Sequence, residues 1–241
     1  MARVRNDETY ALKRDSILDI AEQLVITKGY ERLAISDLVA EAGISKGALY
    51  HYFGSKREVL AALLERRVLR WDARLAPIAD SDLDAEPRLR EFLRGLAGVK
   101  AEDREFLVEV LRRVYADENA IVYNGMRIAM ADRMLPRLTM IISAGIDDGS
   151  FQVTDPEASA RVVLSLLQEC TDRIGRMLID VADGVGKPRR IETQAAAYVD
   201  ALHRTLDATP SSLDFLDTAD LRRWVRAARR SRATASRKET P

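Results

Sequence analysis

"AGISKGALYHYFGSKREVL", Ala42 to Leu60, decides how the rest of the chain is read. Between Ser45 and Tyr52 it sets a serine, a lysine, a glycine, two tyrosines and a histidine within eight positions. Short donors, a cation and flat amphipathic rings make poor core, and good contacts for something polar and anionic. Gly43 breaks what precedes it. Ser45 follows where an N-cap is wanted, because its hydroxyl can accept from a first-turn N–H. The short helix it opens is expected to end near Phe53. Ser55-Lys56-Arg57-Glu58 then has the serine-to-glutamate spacing of a capping box and opens a longer helix, expected to reach Leu75.

Upstream, Ile17, Ile20, Ala21, Leu24 and Val25 recur at the spacing that lines one helical face, so residues 7–28 read as a helix stopped by Gly29. Residues 35–42 give a second, short helix with Leu38, Val39 and Ala42 apolar. Two short helices joined at a glycine turn and braced by two longer ones have the form of a helix-turn-helix. In that form the second short helix enters the major groove of DNA, leading with its N-terminal residues. Ser45 and Lys46 stand at its start, and Gly47 and Ala48 remove bulk there. Tyr50, His51 and Tyr52 carry polar tips that can reach phosphate oxygens, and Lys56 adds a cation at the next helix start. A lysine at a helix start opposes the helix dipole unless an anion is present. Leu49 and Phe53, four apart, are expected to face the core instead.

Ile17 to Leu60 resembles the DNA-binding domain of the tetracycline-repressor (TetR) family, most specifically in Gly29-Tyr30, the "AGIS" turn, "GALYHYF" and Lys56. The resemblance covers about the first quarter of the chain. It implies an all-α homodimer with an N-terminal three-helix DNA-binding domain and a larger helical domain that binds an effector and dimerises. It also implies that Ser45, Lys46, Gly47 and Ala48 lie near bases, and Tyr50, His51, Tyr52 and Lys56 near the DNA backbone. One departure stands out. Ala34 occupies the position where the family usually has a threonine, and it can neither cap the second helix nor meet a phosphate. Ser36 is the candidate to take that contact.

The totals agree with a compact helical protein. The chain has 241 residues, 47% hydrophobic and 6% aromatic, with Lys+Arg and Asp+Glu both 38, so no global field announces a nucleic-acid partner. Through Arg57 there are nine basic residues against eight acidic, so DNA affinity must come from a few well-aimed contacts and from dimerisation. One cysteine, Cys170, excludes an intrachain disulfide. The start "MARVRNDETY" lacks a secretory apolar stretch, and no run of about 18 apolar residues offers a membrane span, so a cytoplasmic protein is expected. With two histidines, His51 and His203, and no metal-ligand spacing, no metal or cofactor is expected. GxSxG, Walker A and GxGxxG motifs are absent, which lowers an enzymatic reading.

The expected organisation is residues 1–57 for DNA, 58–208 for ligand and dimerisation, and 209–241 as a basic extension. Pro77, the acidic stretch 80–86 and Pro87 mark a connection, and helices are expected over 87–98, 102–118, 120–134 and 136–148. Asp155-Pro156-Glu157 is a start signal for a helix to Ala182, and a further one covers 189–207. Met126, Met130 and Met134 share one helical face with Tyr123 close by, which reads either as core or as a pocket for an irregular apolar effector. Trp71, Phe106 and Tyr115 could extend either version, while Asn119, Asn124, Arg127, Gln168, Asp172 and Arg173 could orient a ligand. Helices 156–183 and 189–207 are the expected dimer interface, through Ala160, Val163, Leu164, Leu167, Ile174 and Leu178 on the first and Ile191, Ala195, Val199, Leu202 and Leu206 on the second. The same faces could instead pack within one chain. The tail after Pro210 could be a solvated extension, an amphipathic helix docked through Trp224, or an extra phosphate contact, with residues 231–241 irregular. The whole reads as a ligand-responsive repressor on a near-palindromic operator, the alternative being an activator or architectural binder without an effector.

Overall fold

The computed structural model describes residues 2–115, 120–209 and 212–237. These form ten α-helices and, among the described residues, no strand. In order they are α1 (Ala2–Lys28), α2 (Ile35–Ala42), α3 (Lys46–Tyr52), α4 (Lys56–Ala79), α5 (Ala85–Glu102), α6 (Arg104–Val114), α7 (Ala120–Asp147), α8 (Pro156–Ala182), α9 (Pro188–Leu206) and α10 (Thr218–Arg237). They fall into two units: residues 1–67 with 105–126, and residues 68–104 with 127–241. Helices α4 and α7 each contribute residues to both.

The first unit is built on one apolar cluster. Ile17, Leu18, Ala21, Leu24 and Val25 of α1 meet Leu38 of α2, Leu49 of α3, Val59, Leu60 and Leu63 of α4, and Phe106 and Val110 of α6. Leu49 and Phe53 are buried here, as their spacing predicts. The turn between α2 and α3 closes locally. Gly43 takes φ 60° and ψ 36°, a left-handed cap that costs an L side chain strain, and its N–H donates to Ala40 O while Ile44 N–H donates to Val39 O. Ser45 Oγ accepts from Ala48 N–H at 3.1 Å and so starts α3. At α4 only half of the expected capping box forms. Glu58 N–H donates to Ser55 Oγ, but the Glu58 carboxylate reaches one residue further back and accepts from Gly54 N–H at 2.8 Å.

A buried ion pair ties three helices of this unit. Arg67 is 1% exposed; its Nη2 donates to Glu22 at 2.6 Å, and its guanidinium lies 3.3 Å from the centre of the Phe106 ring. Arg66 beside it bonds Asp19 and Glu22. Charge buried this deeply is tolerable only when paired, and the Glu22 carboxylate is a hydrogen-bonded partner of the Arg67 cation.

In the second unit α8, α9 and α10 pack on one another. Asp155 caps α8 by accepting from Ala158 N–H at 2.8 Å, with Pro156 in the first turn, as the sequence predicts. Gly145 of α7 touches the Phe151 ring so closely that a Cβ there would fall 2.1 Å from a ring carbon.

Several expectations are corrected. Pro136 does not divide residues 120–147; α7 runs through it, because Met134, Leu138, Ile141 and Ile142 bury one continuous face and that burial outweighs one lost N–H bond. Pro77 likewise sits in the last turn of α4. The residues proposed to face a second copy are largely used within the chain: Ala160, Val163, Leu164, Leu167, Leu178, Ile191, Ala195, Leu202 and Leu206 are buried in the single chain, since α10 covers part of α8 and α9. The backbone of α10 stays helical to Arg237, beyond residue 231 where an irregular end was expected, and residues 238–241 lie outside the described residues.

Candidate nucleic-acid interface

Seven residues make α3, and only Leu49 among them is buried. Ser45, Lys46, Gly47, Tyr50 and His51 are exposed, while Ala48 and Tyr52 are half-buried. Tyr50 keeps 46% of its surface open, and Lys46 Nζ stands 5.9 Å from the centre of its ring. Glycine at position 47 has no internal reason. A Cβ added there would meet nothing nearer than Ser45 Oγ at 4.0 Å. Glycine in a helix costs about 1 kcal/mol relative to alanine, and here it leaves the first turn of α3 open to solvent.

Beyond the Ser45 cap and the Lys46–Tyr50 approach, three more of the predicted contacts have partners within the protein. Tyr52 stacks on Tyr10 of α1 at 4.7 Å between ring centres, and His51 meets both rings edge-on at about 6 Å. The Tyr10 hydroxyl donates to His51 O at 3.3 Å. Tyr10 thus sets the attitude of the C-terminal half of α3; forty-one positions away, it carries no local sign of that role. Lys56 Nζ donates to Glu31 O at 2.8 Å and lies 4.5 Å from the Tyr30 ring centre. The cation therefore also fastens the loop before α2 to the start of α4.

Ser36 is exposed on the first turn of α2. Ala34 is the N-cap residue and has no side chain to offer, so the helix takes another route: Asp37 accepts from Ala34 N–H at 3.2 Å and pairs with Lys28 at 3.3 Å. The backbone bond from Ala34, and then Lys28, hold the Asp37 carboxyl below its ordinary range.

The residues suggested for an effector are divided between the two units. Phe106, Tyr115, Tyr123 and Met126 belong to the first unit, with Phe106 buried under Arg67 and Tyr115 edge-on to Tyr123 at 5.3 Å. Trp71, Met130, Met134 and Gln168 belong to the second. There Trp71 is buried and its indole N–H donates to Asp103 at 2.7 Å; Met134 is buried and Met130 half-buried. Asn119 lies outside the described residues. Arg127 joins α7 to α8, donating to Gln168 at 3.1 Å and pairing with Asp172 at 3.6 Å.

A residue the sequence did not single out completes this polar set. Lys100 of α5 is half-buried, and its ammonium donates to Thr171 Oγ1 of α8 at 3.1 Å. Burial pushes its pKa down, while Cys170 and Asp172 pull the other way. Burial also raises the Asp172 carboxyl and lifts the Cys170 thiol to about 11, so that thiol is a packing group and not a ready nucleophile. Among the described residues no group of three or more His, Cys, Asp or Glu could hold a metal ion, and no helix is long and apolar enough to cross a membrane.

The bacterial regulatory proteins of the tetR family match residues 17–63, the span from α1 to α4 that builds and braces the turn. An uncharacterised HTH-type transcriptional regulator from the lacX 3' region of Lactococcus lactis subsp. lactis is 37% identical over 89 residues, which span 36% of this chain and 45% of that protein. The HTH-type transcriptional repressor KstR2 of Mycobacterium tuberculosis H37Rv is 27% identical over 164 residues, 66% of this chain and 78% of that one. The structure of SmeT in complex with triclosan superposes with a TM-score of 0.58 at 24% identity, covering 83% of this chain and 94% of that chain, a likeness of fold. The turn at Gly43, the capped and outward-facing α3 and the family match agree: residues 17–63 carry the N-terminal helix-turn-helix domain of the tetR family of bacterial regulatory proteins.

Proposed function

We propose that the chain is a ligand-responsive transcriptional repressor that binds a near-palindromic operator as a homodimer in the cytoplasm and releases it when a small, largely apolar effector binds. The observation that carries the reading is the outward face of α3, where Ser45, Lys46, Gly47 and Tyr50 meet solvent and glycine answers to no neighbour inside the protein. On this reading residues 1–57 read DNA, with Ser45 to Ala48 near base edges and Ser36, Tyr50, His51, Tyr52 and Lys56 near phosphates. Residues 58–208 then bind ligand and dimerise. KstR2, a relative by sequence, carries the name of a repressor, and SmeT, a relative by fold, holds triclosan.

Dimerisation through α8 and α9 uses the side that the chain itself leaves open. Val162 is 49% exposed, and Leu166, Arg173, Met177 and Asp180 follow it at helical spacing. Small Thr193, Ala196 and Ala197 offer close approach on α9. Two-fold symmetry through such a bundle would set the two α3 helices about 34–36 Å apart, or a multiple of that distance.

The effector is assigned to the second unit, where half-buried Met130 supplies an adaptable apolar wall and Lys100, Thr171, Gln168 and Arg127 supply orientation. Its binding favours one of two conformations that differ in DNA affinity, with α4, shared between the units, as the coupling element. A competition experiment tests the switch. Small apolar molecules that raise the protein's Tm should lower its affinity for operator DNA. Lys100→Met should weaken that response without lowering the Tm of the free protein, because it removes a half-buried ammonium. Operator affinity unchanged by every molecule that binds would leave a DNA-binding regulator without an effector.

A further inference from the structure

The basic helix α10 is the one feature prominent in the sequence that the operator-and-effector reading leaves unused. Its apolar side is occupied: Leu221, Val225, Ala227 and Ala228 are buried as the helix packs on α8 and α9. That packing anchors the helix and fixes what the other side presents. Arg222, Arg223, Arg226, Arg229 and Arg230 are all exposed. Over residues 218–237 there are seven arginines against one aspartate, in a chain whose net charge is zero.

Counter-charges among the described residues do not reach every guanidinium of this row. Arg222 pairs with Glu192 at 3.1 Å. Asp220 serves two guanidiniums, Arg223 at 2.5 Å and Arg104, from the start of α6, at 3.4 Å. No carboxylate among the described residues pairs with Arg226 or Arg229. Arg104 shows the effect of this crowding. Burial depresses its pKa, and Arg223, Arg226 and Arg230 push the same way against Asp220 alone. It stands 5.4 Å from the Trp224 ring centre, and its Nε–H is buried with no acceptor. An oxyanion at the part of the Arg104 side chain that stays accessible would offset the like charges around it.

We propose that the arginine face of α10, together with Arg104, is a second nucleic-acid surface that binds DNA phosphates without reading sequence. Phosphodiester oxygens fit the guanidinium forks, and an exposed row from Arg222 to Arg229 spans about 10 Å along the helix. A lipid surface fits less well, because membrane-bound amphipathic helices bury their apolar side in the bilayer and here that side is spent inside the protein. The charge balance of the N-terminal segment points the same way. Through Arg57 there are nine basic residues against eight acidic, so the segment that carries α3 is poor in the salt-sensitive attraction on which duplex binding draws. The inference rests on the reading that the chain binds DNA.

The test is the salt dependence of binding to a short duplex of arbitrary sequence, with the full-length protein and the exposed pair changed together, Arg226→Gln/Arg229→Gln. The wild type should bind with a log–log salt slope steeper than the variant's, by about one for each phosphate that an arginine of the pair neutralises in each subunit, with Tm unchanged. Arg226→Lys/Arg229→Lys should restore most of the slope. Equal slopes for wild type and the glutamine variant overturn the proposal. So does a variant that loses binding only to phosphatidylglycerol vesicles, or one whose sole change is in binding inorganic phosphate. Should the wild type bind its operator with a slope that the glutamine variant keeps, only this inference falls; should it bind neither operator nor arbitrary duplex, the repressor reading falls with it.

Discussion

The surface around α3 and the surface along α10 both present donors to solvent, and they do so by opposite means. Around α3 the charge is nearly balanced, and each polar group has its own restraint: Ser45 is committed to a cap, Lys46 lies near the Tyr50 ring, and Tyr52 is stacked on Tyr10. Along α10 the charge is dense and of one sign, presented by a helix whose other side is buried, and no carboxylate among the described residues pairs with Arg226 or Arg229. Groups that are few and oriented can discriminate between base edges. A dense row of cations attracts any phosphate backbone and is screened by salt. On the proposed reading, one chain separates recognition from attraction, instead of laying both on one basic face.

That contrast can be broken or sharpened by substitution. The largest effect is expected at Lys46. Lys46→Ala should weaken operator binding by about 1–3 kcal/mol and leave Tm unchanged, because the side chain is exposed. A loss equal in size on arbitrary duplex would make α3 an attractor like α10 and erase the distinction. Next comes Gly43→Ala. The left-handed cap makes an L side chain cost about 1–2 kcal/mol, read as a lower denaturation midpoint, with no change in binding at α10. Ser45→Ala removes the cap on α3 and should cost about 1 kcal/mol of stability by the same measurement, with operator affinity falling further than stability alone explains. The smallest effect concerns acid. Asp37 has a lowered pKa when folded, so its contribution is present above the unfolded carboxylate range and is lost as pH falls through the folded value. Asp37→Asn should therefore lower Tm slightly near neutrality, leave it unchanged well below about pH 4, and so flatten the acid fall.

The helix-turn-helix was legible because its determinants are local. Gly43, Ser45 and the Ser55–Glu58 spacing act within four residues of themselves, and their geometry is close to what the spacing predicts. Tyr10 against Tyr52 and Lys100 against Thr171 were not legible, since each pairing depends on how distant helices pack and neither residue sits in a patterned stretch. Pro136 misled for a related reason: its local preference is to end a helix, and the buried face of α7 overrides it. The apolar faces of α8 and α9 are legible as packing surfaces, but periodicity does not say against what. Here α10, for which a docked helix is one of three readings the sequence allows, takes part of that surface within the chain. The turn, the cap and the exposed face of α3 were therefore readable residue by residue, whereas the residues suggested for an effector were readable only as a set of residue types.

The most direct measurement is recovery of genomic DNA fragments bound by the full-length protein, set beside those bound by Lys46→Ala. A shared near-palindrome with half-sites about one helical turn apart, or a multiple of it, recovered by the wild type and lost by the variant, is the predicted result. Fragments with no common sequence, or the same sequence recovered equally well by Lys46→Ala, would contradict the assignment of recognition to α3.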